Sequence, residues 1–431
     1  MSASLTASPG GLAVPAVAAK SLRVGFSWSF VGWVGYAGCQ WLMLSVMAKL
    51  GNPTIVGQFA FALALSAPVF MFSNLNLRVV QSTDALSEYK FSDYATLRLL
   101  SSSFALLVIV ATSFFLRLSR TALMVVLLVA LFKFIESFGD LVAGLMQKFE
   151  RLDRAAIALL LRGSLSIGVF AVTFVVWHSL PASLIAWVAC AAVVILSYDF
   201  RAARKLASSE AGRSVRWAQL KSLAVTSLPL GAVSAITSFN TNIPRYTIQH
   251  VLGVADLGIF ASIAFPVAAA TIISNSLGQS ALARLSRLFA ERRIEEFERL
   301  VLKLLAFGAG LGLLAIVLVL WCGNSLLVIL YTPEYTRQGS LFALLALTAG
   351  LNCTGCFLMY ALTAARKFTI QLPISIMCVL MTVCASALLV PRYHLVGAAL
   401  ALLCSALLLI LMTGVMLKRA IAQTAPAERI A

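Results

Sequence analysis

Apolar residues in this chain run in long continuous blocks separated by short polar or basic stretches, with no sustained alternation. Twelve blocks are long enough to cross a bilayer. They cover 24–48, 55–79, 95–116, 121–146, 155–177 and 182–200 in the first half of the chain. In the second half they cover 222–245, 255–280, 300–321, 338–363, 369–390 and 395–417. A helix needs about 20 apolar residues to span the ~30 Å hydrocarbon core, whereas barrel strands show a roughly ten-residue alternating pattern. The blocks therefore predict an all-α polytopic membrane protein with about twelve transmembrane helices.

The pattern also repeats. KSLRV at Lys20–Val24 recurs as KSLAV at Lys221–Val225, an offset of 201. LGNPTIVGQFA, from Leu50 to Ala60, is echoed one residue shorter by LGVADLGIFA, from Leu252 to Ala261. The common skeleton is Leu-Gly followed by Gly-x-Phe-Ala at the start of the next helix. Six crossings per copy give both halves the same orientation, the parallel type of transporter repeat with a site expected between the halves. The expected organisation is a cytoplasmic, disordered tail over 1–19, an N-lobe over 20–220 holding helices 1–6, a C-lobe over 221–418 holding helices 7–12, and a cytoplasmic tail over 419–431. Pro68 and Pro266 fall in equivalent helices of the two lobes, and helix 7 adds Pro229 and Pro244. Proline permits bending that alternating access would use.

Composition narrows the class. With 61% hydrophobic and 11% charged residues, no soluble domain of 431 residues could cover its surface, so lipid is the solvent. MSASLTASPGGLAVPAVAA, the first nineteen residues, carries no Lys or Arg and does not read as a secretory signal. Placing the N-terminus inside puts 26 of the 33 Lys and Arg in inner loops or at inner helix ends. That asymmetry predicts both termini in the cytoplasm. It also accounts for the net charge of +17 without nucleic acid as a partner. The eight cysteines lie almost wholly in apolar runs, and the Cys353/Cys356 pair reads as helix packing, so no metal site is expected.

One stretch breaks the apolar rule. KFIESFGD, 133–140, puts Lys133, Glu136 and Asp140 deep in helix 4. A charge near the bilayer centre costs at least ~2.5–3.5 kcal/mol on insertion scales. On a helical wheel Lys133, Glu136, Ser137, Asp140, Gly144 and Gln147 share one face about 100° wide, opposite Phe132, Phe134, Ile135 and Leu141. Basic partners stand in other helices: Arg162 inside the inner end of helix 5, Arg78 near the inner end of helix 2, and Arg245 at the outer end of helix 7. Two readings stay open. Lys133 with Glu136, and Asp140 with Arg162, could simply pair and pack, while Arg78 and Arg245 snorkel to the interfaces. Alternatively Arg78, Lys133, Arg162 and Arg245 exceed Glu136 and Asp140 along a path that attracts an anionic substrate. In that case the two carboxylates offer sites for a coupling proton or sodium ion. No catalytic residue and no cofactor are expected.

Longer stretches resemble a known family. They are AKLGNPTIVGQFA with APVFMFSNLNLRVVQSTDA, then KFIESFGDLVAGLMQKFERLDRAAIALLLRG, and in the second half NIPRYTIQHVLGVADLGIFA and SNSLGQSALARLSRLFAE. Over nearly the whole chain after residue 20, they resemble the polysaccharide flippase branch of the multidrug/oligosaccharidyl-lipid/polysaccharide exporter superfamily. The resemblance implies two pseudo-symmetric six-helix lobes around a central cavity. It implies flipping of an undecaprenyl-pyrophosphate-linked oligosaccharide across the bacterial inner membrane by ion-coupled alternating access, for surface or exopolysaccharide synthesis. Partners would be the lipid-linked oligosaccharide, the bilayer and other polysaccharide-assembly membrane proteins. It assigns a substrate-path role to Arg78, Lys133, Arg162 and Arg245. Family motifs commonly carry serine before the aspartate of helix 4, where this chain has Gly139. The alternatives are a drug or metabolite exporter of the same superfamily and, in another class, an integral-membrane polymerase or glycosyltransferase. The enzyme reading lacks the soluble domain or long outer loop that such chemistry requires.

Overall fold

The computed structural model describes residues 22–84, 88–207, 216–331, 335 and 338–423. The tail expected over 1–19 lies outside the described residues. The one expected over 419–431 is helical through Ala422, and from 424 onward it too lies outside them.

The described residues are helical almost throughout. The first half holds α1 (Leu22–Leu50), α2 (Pro53–Ser73), α3 (Leu77–Thr83), α4 (Phe91–Phe115), α5 (Arg120–Lys148), α6 (Leu152–Trp177), α7 (Leu180–Val194) and α8 (Phe200–Ala207). A π-helical turn, Ile195–Asp199, joins α7 to α8. The second half holds α9 (Trp217–Val251), α10 (Val254–Ala290), α11 (Ile294–Leu330), α12 (Gly339–Ala364) and α13 (Phe368–Ala422). Ten of these segments are long and apolar enough to cross a membrane. The expected twelve follow when α10 is counted and α13 is divided. His394 (φ 54°, ψ −133°) breaks α13 into two helices. Cys378 against Ser405 near one end and Leu389 against Gly397 near the turn make those two helices antiparallel. The chain is a multi-pass membrane protein.

Local chemistry sets the boundaries. Asn52 caps α2 by accepting from the Ile55 amide at 2.9 Å, with Pro53 in the first turn where its missing N–H costs nothing. Ser119 caps α5 in the same way through Ala122. His178, which ends α6, and His394 both sit at positive φ, a region where histidine is several-fold enriched. These two histidines serve turns.

The expected span 55–79 is not one helix. Leu75 (φ 49°) and Asn76 (φ 50°) leave the right-handed region, and the chain restarts as α3. Positive φ at a leucine is strained, and such strain persists only where the surroundings hold it. Here α3 lies against α5 at Gly144, where an added Cβ would come within 3.1 Å of Arg78 Cα.

Packing differs between the two ends of the bundle. On the face away from the N-terminus, one hydrophobic cluster draws from both halves: Met47, Phe59, Val129, Phe174 and Trp187 with Ile248, Phe260, Leu327, Tyr331 and Leu395. Across this seal Trp41 Nε1 donates to Tyr331 Oη at 3.0 Å, and Tyr331 donates to the Ser262 carbonyl at 2.8 Å. Its closest crossing joins the two copies of the repeated glycine. A Cβ on Gly57 would overlap the Val254 carbonyl, and one on Gly258 would lie 2.8 Å from the Gly57 amide nitrogen. The repeat skeleton is thus a backbone-to-backbone contact between halves. On the N-terminal face the clusters are separate. Leu285, Phe297, Phe357 and Ile374 pack within the second half, and Val142, Met146, Ala155 and Ala203 within the first. The start of α9, through Leu220 and Leu223, leans on Leu77 and Tyr94 of the first half.

Candidate functional site

Beside the first-half cluster, sharing Met146 and Ala155 with it, lies a cavity of ≈ 380 Å³. It runs from Lys133, midway along α5, to Met146 and Ala155 beside the N-terminal face. The sequence placed the site between the halves. Instead, Ser234 of α9 is the one described lining residue from the second half. The rest of the wall comes from α1, α2, the α2–α3 break, α3 through Arg78, α5, α6 and Asp199.

Helix α5 supplies the polar stripe expected from the wheel. Lys133, Glu136, Ser137 and Asp140 face the cavity. Lower on the same stripe, Gly144 receives α3 and Gln147 accepts from Arg78 Nε at 3.4 Å. The opposite side does not face lipid at the centre. Phe132 stacks on Trp187 with ring centroids 3.5 Å apart, and Leu141 and Val142 are buried.

Three ionic groups occupy the wall. In the first, Lys133 Nζ donates to Glu136 Oε2 at 2.8 Å, while Tyr36 of α1 donates to Glu136 Oε1 and accepts from Gln40 at 3.0 Å. In the second, Asp140 takes Arg78 at 3.3 Å and Arg98 at 3.6 Å, and Arg98, fully buried, also donates to Asn74. Arg78 lies 5.3 Å from the Trp33 ring centroid, over its face. The third is Arg162 with Asp199 at 2.6 Å, with side-chain exposures of 4% and 1%.

The structure thus brings Arg78, Lys133, Glu136, Asp140 and Arg162 to one cavity. Two details differ from the sequence reading. Asp140 does not pair with Arg162; it binds Arg78 and Arg98, because the break at Asn76 turns α3 onto α5. Arg245 is not among the described lining residues. It stands near the far end of α9 and donates to Asn242 of its own helix at 3.1 Å.

The excess of basic charge expected along the path therefore falls to a single positive charge at the wall, and its four exposed members balance. Arg78, Lys133 and Arg162 are matched by Glu136, Asp140 and Asp199, with Arg98 behind Asp140 adding one positive charge. The exposed members are Lys133 (28%), Arg78 (18%), Glu136 (20%) and Asp140 (33%), so these four are the groups a ligand would meet.

Tyr36, Arg98 and Asp199 were missed. Asp199 ends an apolar run beside Arg201 and reads as an interfacial residue. The π-helical turn that ends on it shifts the face that follows, and the side chain is buried on Arg162. Gly139 provides the other half of the explanation. A Cβ there would sit 2.6 Å from Arg162 Cζ, so the guanidinium crosses α5 through the space where a serine would stand.

Among solved structures, a lipid II flippase MurJ in an inward closed conformation superposes with a TM-score of 0.67 at 11% identity, covering 92% of this chain and 89% of that one. A MOP superfamily transporter from Pyrococcus furiosus, described as having a binding pocket of reversed polarity, gives 0.64 at 14% identity, covering 93% and 95%. The chain has the fold of the MOP superfamily transporters. The resemblance drawn from the sequence holds at that level. No protein-family profile matches the chain. In sequence, the chain is similar to the capsular polysaccharide biosynthesis protein CapF of Staphylococcus aureus. It is 29% identical over 375 residues, spanning 87% of this chain and 94% of that protein.

Proposed function

We propose that this protein flips an undecaprenyl-pyrophosphate-linked oligosaccharide across a bacterial inner membrane for surface or exopolysaccharide synthesis. The observation that carries the reading is the mid-membrane cavity whose reachable cations, Lys133 and Arg78, are each held by a carboxylate. A phosphate can take the place of either carboxylate, because both cations bind oxyanions by charge-assisted hydrogen bonds. The separate packing on the N-terminal face gives the cavity access from that side. The distribution of Lys and Arg supports placing this side, and both termini, in the cytoplasm. The MurJ fold and the capsular polysaccharide relative support a lipid-linked sugar as cargo.

A balanced wall would repel a phosphate less than an acidic one and attract it less than a basic one. Coupling resolves this. A coupling proton or sodium ion taken up by these carboxylates would release Lys133 and Arg78 and turn the reachable wall from neutral to net cationic. Binding of cargo and of a proton or sodium ion would then favour each other, as linkage requires. Other polysaccharide-assembly membrane proteins would supply and consume the cargo.

The balanced wall also keeps a second reading, a drug or metabolite exporter of the same superfamily. Deleting the gene separates the two. The flippase reading expects loss of surface polysaccharide with unchanged sensitivity to cationic drugs; intact polysaccharide with raised drug sensitivity would favour the exporter.

A further inference from the structure

A second hollow lies on the other side of the cavity wall. It is an apolar groove of ≈ 250 Å³ between α2, α4 and α9, lined through Pro68 and Phe72, Phe104 and Val108, and Ala235 and Phe239. The same stretch of α2 forms both hollows. Ala67, Phe70, Met71 and Asn74 look into the ionic cavity, while Pro68, Val69, Phe72 and Ser73 look into the groove. Helix α9 divides in the same way, with Ser234 on the cavity and Ala235 on the groove.

The α2–α9 seam is thus a partition one helix thick between a charged compartment and an apolar one. It is closed by a near approach of backbones, since a Cβ on Gly231 would lie 2.7 Å from the Phe72 carbonyl. Pro68 interrupts the hydrogen-bond ladder of α2 at this level, which permits bending. Pro229 does the same six residues, nearly two turns, before Ala235 on α9. At 1.5 Å per residue, Phe104 and Ala235 lie roughly 20 and 27 Å along their helices from the N-terminal face. The groove is therefore at the depth of the hydrocarbon, beside Lys133.

We propose that this groove binds the apolar tail of the substrate next to its headgroup, and that the α2–α9 seam is where a lipid-linked anion enters the cavity sideways. The occupant is a polyprenyl or similar long-chain pyrophosphate. Its head reaches Arg78 and Lys133 while the adjoining tail stays in the groove and in lipid. Two hollows of opposite character sharing two walls fit one amphipathic molecule, whereas a free anion has no use for the second. This site rests on the lipid-linked reading above and adds where the tail is held.

The test is photolabelling of the purified full-length protein with farnesyl pyrophosphate carrying a diazirine on the tail, mapped by mass spectrometry. Phosphatidylcholine bearing the same group serves as control. The expected result is labelling on 104–108 and 235–239 at least five-fold above lipid-facing Leu313 and Leu320 of α11. Arg78→Ala should lower it several-fold, and the phosphatidylcholine probe should show no such preference. Equal labelling of α11, or labelling unchanged by Arg78→Ala, would mean annular lipid only and overturn the groove. Val108→Trp, which fills the rim, should abolish the preferential label while leaving affinity for inorganic pyrophosphate within two-fold. Persistent labelling in that variant also overturns the proposal. Lipid transport by wild-type protein without directed labelling would sink the groove alone. Directed labelling without transport would sink the flippase reading and leave the groove standing.

Discussion

Arg162 reaches Asp199 because residue 139 has no side chain, and the pair is almost wholly buried. Removing one partner of a buried pair leaves an uncompensated charge and typically costs about 3–5 kcal/mol, whereas replacing both by apolar residues is often neutral. Asp199→Ala is accordingly expected to lower the melting temperature in detergent markedly, and Arg162→Met with Asp199→Leu to recover most of it. If the single and double variants melt alike, the pair is not what holds α6 to the end of α7. Lys133 differs, being partly exposed and bound to Glu136. Lys133→Ala should insert and melt normally but lose roughly ten- to hundred-fold in transport, the scale of one charged hydrogen bond of about 1.5–3 kcal/mol. Normal transport would remove Lys133 from the path. At this scale the sequence made the α5 stripe readable, because a helical wheel depends on local geometry alone. Asp199 and Arg98 were unreadable for the opposite reason. Each lies toward the end of an apolar run, where a charge usually meets water, and only a π-helical turn or a neighbouring helix shows that it does not.

Among the elements, two features set the geometry. The break at Leu75–Asn76 lays α3 on α5 and delivers Arg78 to Asp140. Transporter sites commonly use interrupted helices of this kind. Nothing in SNLNLRVV marks the break before Asn76 adopts positive φ, so the sequence predicted one span from 55 to 79. The second feature is the α2–α10 crossing, where Gly57 and Gly258 meet. Here the repeat was legible, while its purpose was not, since two short matching motifs do not reveal that they touch. Gly57→Val should prise this crossing open, because the new side chain would meet the Val254 backbone and not a movable side chain. Spin labels on Leu50 and Ile329, both exposed near the seal, should move apart by several ångströms. An unchanged distance distribution would mean that the glycines do not hold the halves together.

For the whole molecule, the seal on one face and the separate clusters on the other would be one end-state of the proposed alternating-access cycle. The other state would require breaking the Trp41–Tyr331–Ser262 contacts and the glycine crossing, then closing over Lys133. Hydrophobic run lengths carried the twelve crossings into the sequence. They could not show that the cavity wall belongs almost wholly to the first half, because that depends on how the helices pack against one another, which run length does not encode. The central claim is movement of a lipid-linked sugar through this cavity. It is tested most directly in proteoliposomes loaded with a fluorescent undecaprenyl-pyrophosphate oligosaccharide, by timing its appearance in the opposite leaflet. The expected result is fast transfer with wild-type protein, steeper under a proton or sodium gradient and lost in Lys133→Ala. A transfer rate equal to that of protein-free vesicles, with and without either gradient, would contradict it.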